Sequence, residues 1–286
     1  MEVLLTPQIE AIIKMALEED IGAGDLTTLN TIPPEQRAKG LFRAKRDCTV
    51  AGLFLLERLF SFLDSDVQIR CLCRDGDQVS RGTVIAEAEG VVRALLMGER
   101  TALNFLQRLS GTATLTRRYV DTIKDLPSKI IDTRKTTPGL RTLEKYAVRM
   151  GGGTNHRLGL YDAAIIKDNH IAASGSIAQA VENVRSNSPF MSRVEVECED
   201  LKQVQKALDV KADVIMLDNM DTATMKEAVK LIKKRVWVEA SGGITMERVR
   251  EVAEAGVDFI SVGALTHSAP AVDFNMKIVP VGGPRA

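Results

Sequence analysis

The sequence predicts an α/β protein in two parts, an α+β unit followed by repeated strand–helix units. Three observations predict it. Alternating, β-branched runs separated by Asp-Gly and Arg-Gly turns fill much of the first ~98 residues. The hydrophobic period changes at Gly98. Beyond it, six short β-rich runs are separated by amphipathic helices. A chain of 286 residues is long enough for about two domains of ~150 residues and for a sizeable core.

The first helix spans 9–19, with Ile9, Ile12, Ile13, Ala16 and Leu17 on one face. Glu19-Asp-Ile-Gly-Ala-Gly-Asp-Leu-Thr-Thr28 follows as a Gly/Asp turn. Residues 38–52, 66–74 and 83–93 read as antiparallel strands, with Asp75-Gly76 and Arg81-Gly82 between them and a helix at 53–63. Residues 99–124 are helical, with a break expected near Ser110-Gly111. The six runs are 129–132, 163–167, 193–197, 213–217, 235–239 and 258–262. The last three start 22 and 23 residues apart, a βα repeat, which implies parallel strands with helices outside. Helices are expected at 201–208 and 225–232, and a strand at 273–278 that returns to the first part. We draw the parts as 1–109, with 271–286 returning to it, and 110–270.

Composition excludes several classes. Apolar content of 45% and charged content of 27% are globular, not disordered or collagen-like. Lys+Arg and Asp+Glu both total 38, so a broad nucleic-acid or membrane surface is not expected, and an anionic ligand must be held by locally gathered cations. The apolar runs fall short of the ~18 residues a membrane span needs. Residues 1–20 carry acids and lack a signal pattern. Of four cysteines only Cys71 and Cys73 are close, and C-x-C without a second cluster is poor metal-site spacing. They read as two reduced thiols on one side of a sheet, in a cytoplasmic setting.

No G-x-G-x-x-G follows the first parallel strand, so the dinucleotide fingerprint is missing. Instead, polar residues collect at strand ends: Asp132, Arg134 and Lys135, then Lys167, Glu195 and Glu197, Asp218, Glu239 and Ser241, and Ser261. A barrel active site is built this way. Six strands where eight are usual make the barrel incomplete or its first strand poorly marked. Residues 132–170 hold seven Lys/Arg, four Asp/Glu and two of the three histidines, a local charge of +3 in a neutral chain. Arg134 and Lys135 lie in a loop after a buried strand. His156 and Arg157 close the connection Gly151-Gly-Gly-Thr-Asn-His-Arg157, and Lys167 opens Lys167-Asp-Asn-His170. Such a cluster suits a small polyanion, each charge-assisted bond being worth roughly 1.5–3 kcal/mol. The alternative is a solvated charge run, with His156 structural. Glu197 and Asp218 can bind sugar hydroxyls, hold Mg²⁺ or face a developing oxocarbenium, or Asp218 can cap the next helix. Ser241-Gly-Gly-Ile244 and Ser261-Val-Gly-Ala264 each put small residues before a helix N-terminus, the usual barrel phosphate site, or are ordinary tight turns.

At these residues the sequence resembles the quinolinate phosphoribosyltransferases. The resemblance runs over essentially the whole chain. It also includes Gly98-Glu-Arg-Thr-Ala-Leu-Asn104, Leu109-Ser-Gly-Thr-Ala-Thr114, Asp132-Thr-Arg-Lys-Thr-Thr-Pro-Gly139, Leu217-Asp-Asn-Met220, Glu239-Ala-Ser-Gly-Gly-Ile244 and Ala269-Pro-Ala-Val-Asp-Phe274. It implies the type II phosphoribosyltransferase architecture: an N-terminal α/β sandwich domain plus an incomplete parallel α/β barrel. It implies a homodimer with shared active sites, or a higher homo-oligomer. The activity implied is transfer from phosphoribosyl pyrophosphate to quinolinate with loss of CO2, in NAD biosynthesis, with Mg²⁺. By matching motif, Arg134, His156, Arg157 and Lys167 would bind the quinolinate carboxylates, and Arg100 would reach in from the partner subunit. Lys135 would lie beside the pyrophosphate, and Glu197 and Asp218 would hold ribose hydroxyls directly or through Mg²⁺. Ser241, Gly242, Gly243 and Gly263 would line the 5′-phosphate site. Three other readings stay open: a barrel lyase or aldolase with Lys135 or Lys167 as Schiff-base nucleophile, a molybdate-operon paralogue of the same fold, and a non-catalytic binder of anionic metabolites.

Overall fold

A Thr-Pro pair opens the first helix. Thr6 Oγ1 accepts the Ile9 N–H, and Pro7 occupies the first turn, where its missing N–H costs nothing. The computed structural model describes residues 5–280. Its elements in chain order are α1 (Pro7–Ile21), α2 (Leu26–Thr31), β1 (Arg37–Ala44), β2 (Cys48–Thr49), α3 (Phe54–Ser61), β3 (Gln68–Cys71), β4 (Gln78–Val79), β5 (Val84–Val91), α4 (Val92–Thr122), β6 (Lys129–Ile131), α5 (Arg141–Met150), β7 (Ala164–Ile166), α6 (Asp168–Ser174), α7 (Ile177–Asn187), β8 (Val194–Cys198), α8 (Leu201–Asp209), β9 (Val214–Asp218), α9 (Thr222–Ile232), β10 (Trp237–Ser241), α10 (Val249–Glu254), β11 (Phe259–Ser261), α11 (Ala264–His267) and β12 (Phe274–Pro280).

The chain divides into two units. The first comprises the residues up to Leu115, Thr137–Gly152 and the segment from Ser268 onward. Its main sheet is antiparallel, in the order β12-β1-β5-β3, and β2 and β4 form a separate ladder. Alternation along β1 puts Phe42 and Ala44 into the core, where Phe42 meets Phe60 of α3 edge-to-face at 6.2 Å. Ile9, Ile12, Ile13 and Leu17 of α1 join the same core. The second unit comprises Thr116–Thr136 and Gly153–His267. Its sheet is parallel throughout, in the order β6-β11-β10-β9-β8-β7. β6 and β7 stand at its two edges and do not pair among the described residues; an isolated bridge ties Ile131 of β6 to Thr154, well before β7. The barrel is therefore incomplete.

The structure departs from expectation at several points. The expected boundaries at 109/110 and 270/271 differ from the observed division, which falls inside α4 and assigns α5 to the first unit. The reason is packing. Tyr146 of α5 donates its hydroxyl to Asp75 at 2.6 Å and meets Phe54 edge-to-face, while buried Glu144 accepts from Arg108. The strand expected at 273–278 is seen as β12 on β1, within the segment 271–286 drawn as returning to the first part; residues 281–286, like residues 1–4, lie outside the described ones. The run 38–52 is two strands, split by the charged bend at Lys45-Arg46-Asp47.

α4 is not broken at Ser110-Gly111. A helix tolerates a glycine where another backbone must approach. A Cβ on Gly111 would stand 2.3 Å from the Pro270 carbonyl oxygen. Ser110 Oγ accepts the Ala51 N–H at 3.0 Å, which explains a polar residue with no exposure. Cys73 does not share a strand with Cys71, because β3 ends at Cys71. All four cysteines are free. Burial pushes the thiols up, to about 11 for Cys48 and about 12 for Cys73 and Cys198, so none of these three is an activated thiolate. Among the described residues no helix is long and apolar enough to cross a membrane.

The Gly111 contact is directly testable. Gly111→Ala removes a helix-interior glycine, which alone would stabilise by up to about 1 kcal/mol. Overpacking against a backbone carbonyl costs about 1–3 kcal/mol and should dominate. Denaturant unfolding should show net loss of stability, and a gain would refute the close approach.

Candidate active site

Strand alternation decides which side chains converge. Residues paired across parallel strands share a face, and so do residues two apart on one strand. The pairs Ile165↔Glu195, Glu197↔Met216, Met216↔Glu239 and Asp218↔Ser241 therefore put these residues on one face. Ser261 joins them through the Glu239↔Phe259 pair. The intervening Val196, Ile215, Leu217, Val238, Ala240 and Ile260 are buried on the other face. The inward set and the following loops line one cavity of about 570 Å³.

The cavity brings together Arg134, Lys135, His156, Arg157, Lys167, Glu197, Asp218, Ser241, Gly242 and Gly243. These are ten of the twelve residues singled out from the sequence. Gly263 does not line it. A Cβ there would lie 3.1 Å from the Lys135 side chain, so Gly263 leaves room behind that lysine. Arg100 is exposed on α4 in the first unit. Thr133, Ile165, Met216 and Asn219 also line the cavity and were missed. Ile165 and Met216 give it an apolar wall.

Its cations are held open for an anion. Arg134 and Arg157 each keep a buried Nε without a hydrogen-bond partner. Burial, and then the Arg134 charge, lower the Arg157 pKa. Two guanidiniums that repel one another, each with an unpartnered Nε, fit a bound carboxylate or phosphate. Arg157 Nη1 donates to the Ala163 carbonyl at 2.9 Å, which fixes the side chain. The Lys135 carbonyl accepts from Thr266 Oγ1 at 2.7 Å, which pins its loop. Lys167 Nζ is paired with Glu197 and stays about half exposed.

The acids divide into two groups. Glu197 and Asp218 lie on the neighbouring strands β8 and β9, with Asp218 about 7 Å further along. Asp218 does not cap α9, because Asp221 does so by accepting the Thr224 N–H at 2.7 Å. Asn219 instead holds Asp218, donating Nδ2 at 2.6 Å from a left-handed backbone that asparagine tolerates. Glu195 and Glu239 lie deeper, each with an oxygen 3.2 Å from His156 Nε2. Burial opposes charging His156, but the two carboxylates favour it and pull its pKa upward. The Arg157 backbone N–H, which donates into His156 Nδ1 at 2.6 Å, opposes a second ring proton. Burial and then the Glu239 charge raise Glu195 to about 7.

The glycine turn differs in part from expectation. Gly242 and Gly243 have φ of +88° and +60°, but α10 begins only at Val249, so they do not stand at a helix N-terminus. Gly263 does directly precede a helix, the four-residue α11. Gly242 is required for a second reason: a Cβ there would lie 2.2 Å from Asn219 Oδ1.

Comparison with known proteins follows this geometry. The family model of the quinolinate phosphoribosyl transferase N-terminal domain matches residues 25–110, and that of the C-terminal domain matches residues 112–277. A probable nicotinate-nucleotide pyrophosphorylase (carboxylating) of Synechocystis sp. is 47% identical over 266 residues, covering 92% of this chain and 90% of the relative. One of Bacillus subtilis is 47% identical over 271 residues, covering 95% and 93%. Among solved structures, NadC from Streptococcus pyogenes superposes with a TM-score of 0.93 at 43% identity, covering 97% of this chain and 99% of that one.

Gly242→Ala tests the turn. It forces a side chain into a left-handed backbone and displaces Asn219 from Asp218. Affinity for ribose 5-phosphate, measured by calorimetry, should fall at least about tenfold, equivalent to ~1.4 kcal/mol. Unchanged affinity would remove the turn from the anion site.

Proposed function

The chain belongs to the quinolinate phosphoribosyl transferase family, and from that membership we propose that it transfers the phosphoribosyl group of phosphoribosyl pyrophosphate to quinolinate. The products are nicotinate mononucleotide, pyrophosphate and CO2, in NAD biosynthesis. One observation carries the reading: a single cavity unites two opposed guanidiniums, two lysines, an acid pair and a glycine turn. Those groups match two polyanions that must meet at a sugar carbon.

Arg134, Arg157 and Lys167 receive the quinolinate carboxylates, with the ring against Ile165 and Met216. Ser241, Gly242 and Gly243 receive the 5′-phosphate, with Gly263 giving Lys135 room to reach the pyrophosphate. Glu197 and Asp218 face the ribose. C1′ becomes oxocarbenium-like as pyrophosphate departs, so acids near the ribose and cations near the leaving group both favour that transition state. The pyridine nitrogen attacks C1′. The pyridinium so formed draws electrons from the adjacent C2 carboxylate, which leaves as CO2, and the carbanion is protonated. The protein's part is to orient and neutralise.

Two hard carboxylates with room for phosphate oxygens and water fit Mg²⁺, which is commonly held that way. Glu197 and Asp218 would hold it, directly or through ribose hydroxyls, and it would supply charge neutralisation at the pyrophosphate. A Schiff-base lyase is less well supported, because Lys167 is paired with Glu197 and half exposed, unlike a lysine desolvated for that chemistry. Four free thiols suit a reducing cytoplasm. Arg100, exposed and outside the cavity lining, suits a residue offered to a partner subunit's cavity in a homodimer.

Release of CO2 from carboxyl-labelled quinolinate, dependent on phosphoribosyl pyrophosphate and Mg²⁺, tests the reading. No release would refute it. Arg134→Ala should weaken quinolinate by roughly 2–4 kcal/mol, the scale for removing one partner of a buried charge pair, with a far smaller effect on phosphoribosyl pyrophosphate. Equal losses would refute its assignment. Mixing Arg100→Ala subunits with Lys167→Ala subunits should restore part of the activity if cavities are completed across a dimer; no rescue counts against sharing.

A further inference from the structure

The N-terminal end of the parallel sheet carries a second cleft, of about 750 Å³. The residues that lead into β8, β9 and β10 line it: Arg193, Lys211, Asp213, Lys234 and Arg235, with Trp237 at the start of β10. The cavity described above takes the opposite, C-terminal ends of the same strands, and the two share no residue. The N-terminal end of a barrel usually serves stability. Four cations gathered there around one acid, in a chain of zero net charge, need a further reason.

Helix ends account for part of the charge. α8 and α9 both finish beside the cleft, and cations favour helix C-termini. Arg185 and Arg235 already fill that role. Arg185 donates to the carbonyls of Val210 and Lys211, and Arg235 to those of Ile232 and Leu231. Asp213 is committed to the Val194 backbone N–H, which it accepts at 2.8 Å. Lys211 and Lys234 remain. Both have left-handed backbone, with φ of 57°, where glycine or asparagine would fit better than lysine. Among the described residues neither Nζ makes an ion pair or a hydrogen bond.

An aromatic group stands among these cations. Trp237 is the chain's one tryptophan and is 45% exposed. Phe259 meets it edge-to-face at 5.5 Å, and the Arg193 guanidinium lies 4.2 Å over its ring. A rigid indole with surface still open, a guanidinium stacked on it and two unpaired ammoniums are the parts of a nucleotide site: planar groups for a base and point charges for phosphates. Phosphate alone would leave the indole unused, and an apolar ligand would leave the lysines unused. We propose that this cleft binds a nucleoside phosphate, the base against Trp237 and Arg193 and the phosphates on Lys211 and Lys234, independently of the cavity for quinolinate.

Trp237 makes the test direct, because tryptophan fluorescence has a single source in this chain. ADP, adenosine and inorganic pyrophosphate are titrated into the wild type, Lys211→Ser, Lys234→Ser and Arg134→Ala, with excitation at the red edge of indole absorption, where adenine does not absorb. ADP should change the wild-type emission saturably, with a midpoint below about 1 mM. Each lysine variant should weaken ADP at least about tenfold, the scale of one charge-assisted bond. Lys211→Arg and Lys234→Arg should recover most of that loss, and Arg134→Ala should leave the titration unchanged. Adenosine and pyrophosphate should each bind at least about tenfold more weakly than ADP, having lost the phosphates or the base. No saturable change with ADP, or one that survives both serine substitutions, would overturn the proposal. Loss of the signal in Arg134→Ala would move ADP to the other cavity and overturn it as well. Pyrophosphate as potent as ADP would leave an unspecific anion patch in place of a nucleotide site. None of these outcomes depends on whether the chain releases CO2 from quinolinate.

Discussion

The cavity depends on a two-residue alternation kept in register across β7 to β11. Each strand is short, yet every second residue on it faces inward. A one-residue slip of β8 would bring Val196 inward and send Glu195 and Glu197 among the helices. Neither set could be exchanged without burying unpaired charge, which costs several kcal/mol per ion. The aliphatic partners Val196, Ile215, Leu217 and Ala240 therefore do more than fill a core. They fix the register that keeps the acids and Lys167 in one place.

Much of this was legible in the sequence, because alternation and strand-end polarity are local properties. All six parallel strands lie within two or three residues of where the pattern put them. Ten of the twelve chosen residues share the cavity. What failed was non-local. Ser110 and Gly111 read as a helix break because their reasons for being there, Ala51 and Pro270, are distant in sequence. The packing of α5 against Asp75 and Arg108, which precede the barrel, left no local trace either. Asn219 could have been found: an Asp-Asn pair at a strand end, with asparagine's tolerance of left-handed backbone, is a local signal. Glu195 and Glu239 were visible as strand-end acids, but their meeting at His156 was not, because it depends on two strands that are not neighbours in the sheet.

The cations and acids form layers. Nearest the solvent-facing loops are Arg134, Lys135, Arg157 and Lys167, with Glu197 and Asp218 against them. Beneath are Glu195 and Glu239, almost fully buried. A cavity of cations alone would hold a departing polyanion as tightly as an arriving one, and binding that is uniform along the reaction gains no rate. Acids among the cations lower that uniform attraction. They leave the strongest interaction for the moment when the sugar becomes positive and the leaving group negative.

The buried pair also bears on why the guanidiniums stay in place. Arg134 and Arg157 repel one another, and Glu195 and Asp162 oppose the effect of that repulsion and of burial at Arg157 without cancelling it. Side chains in that state tend to swing toward water unless the backbone and neighbouring groups hold them. Arg157 is held twice, by the Ala163 carbonyl at its guanidinium and by His156 Nδ1 at its backbone. His156 is itself set against Glu195 and Glu239, each with an oxygen 3.2 Å from Nε2, so the acids deep in the cavity help to place a cation at its surface.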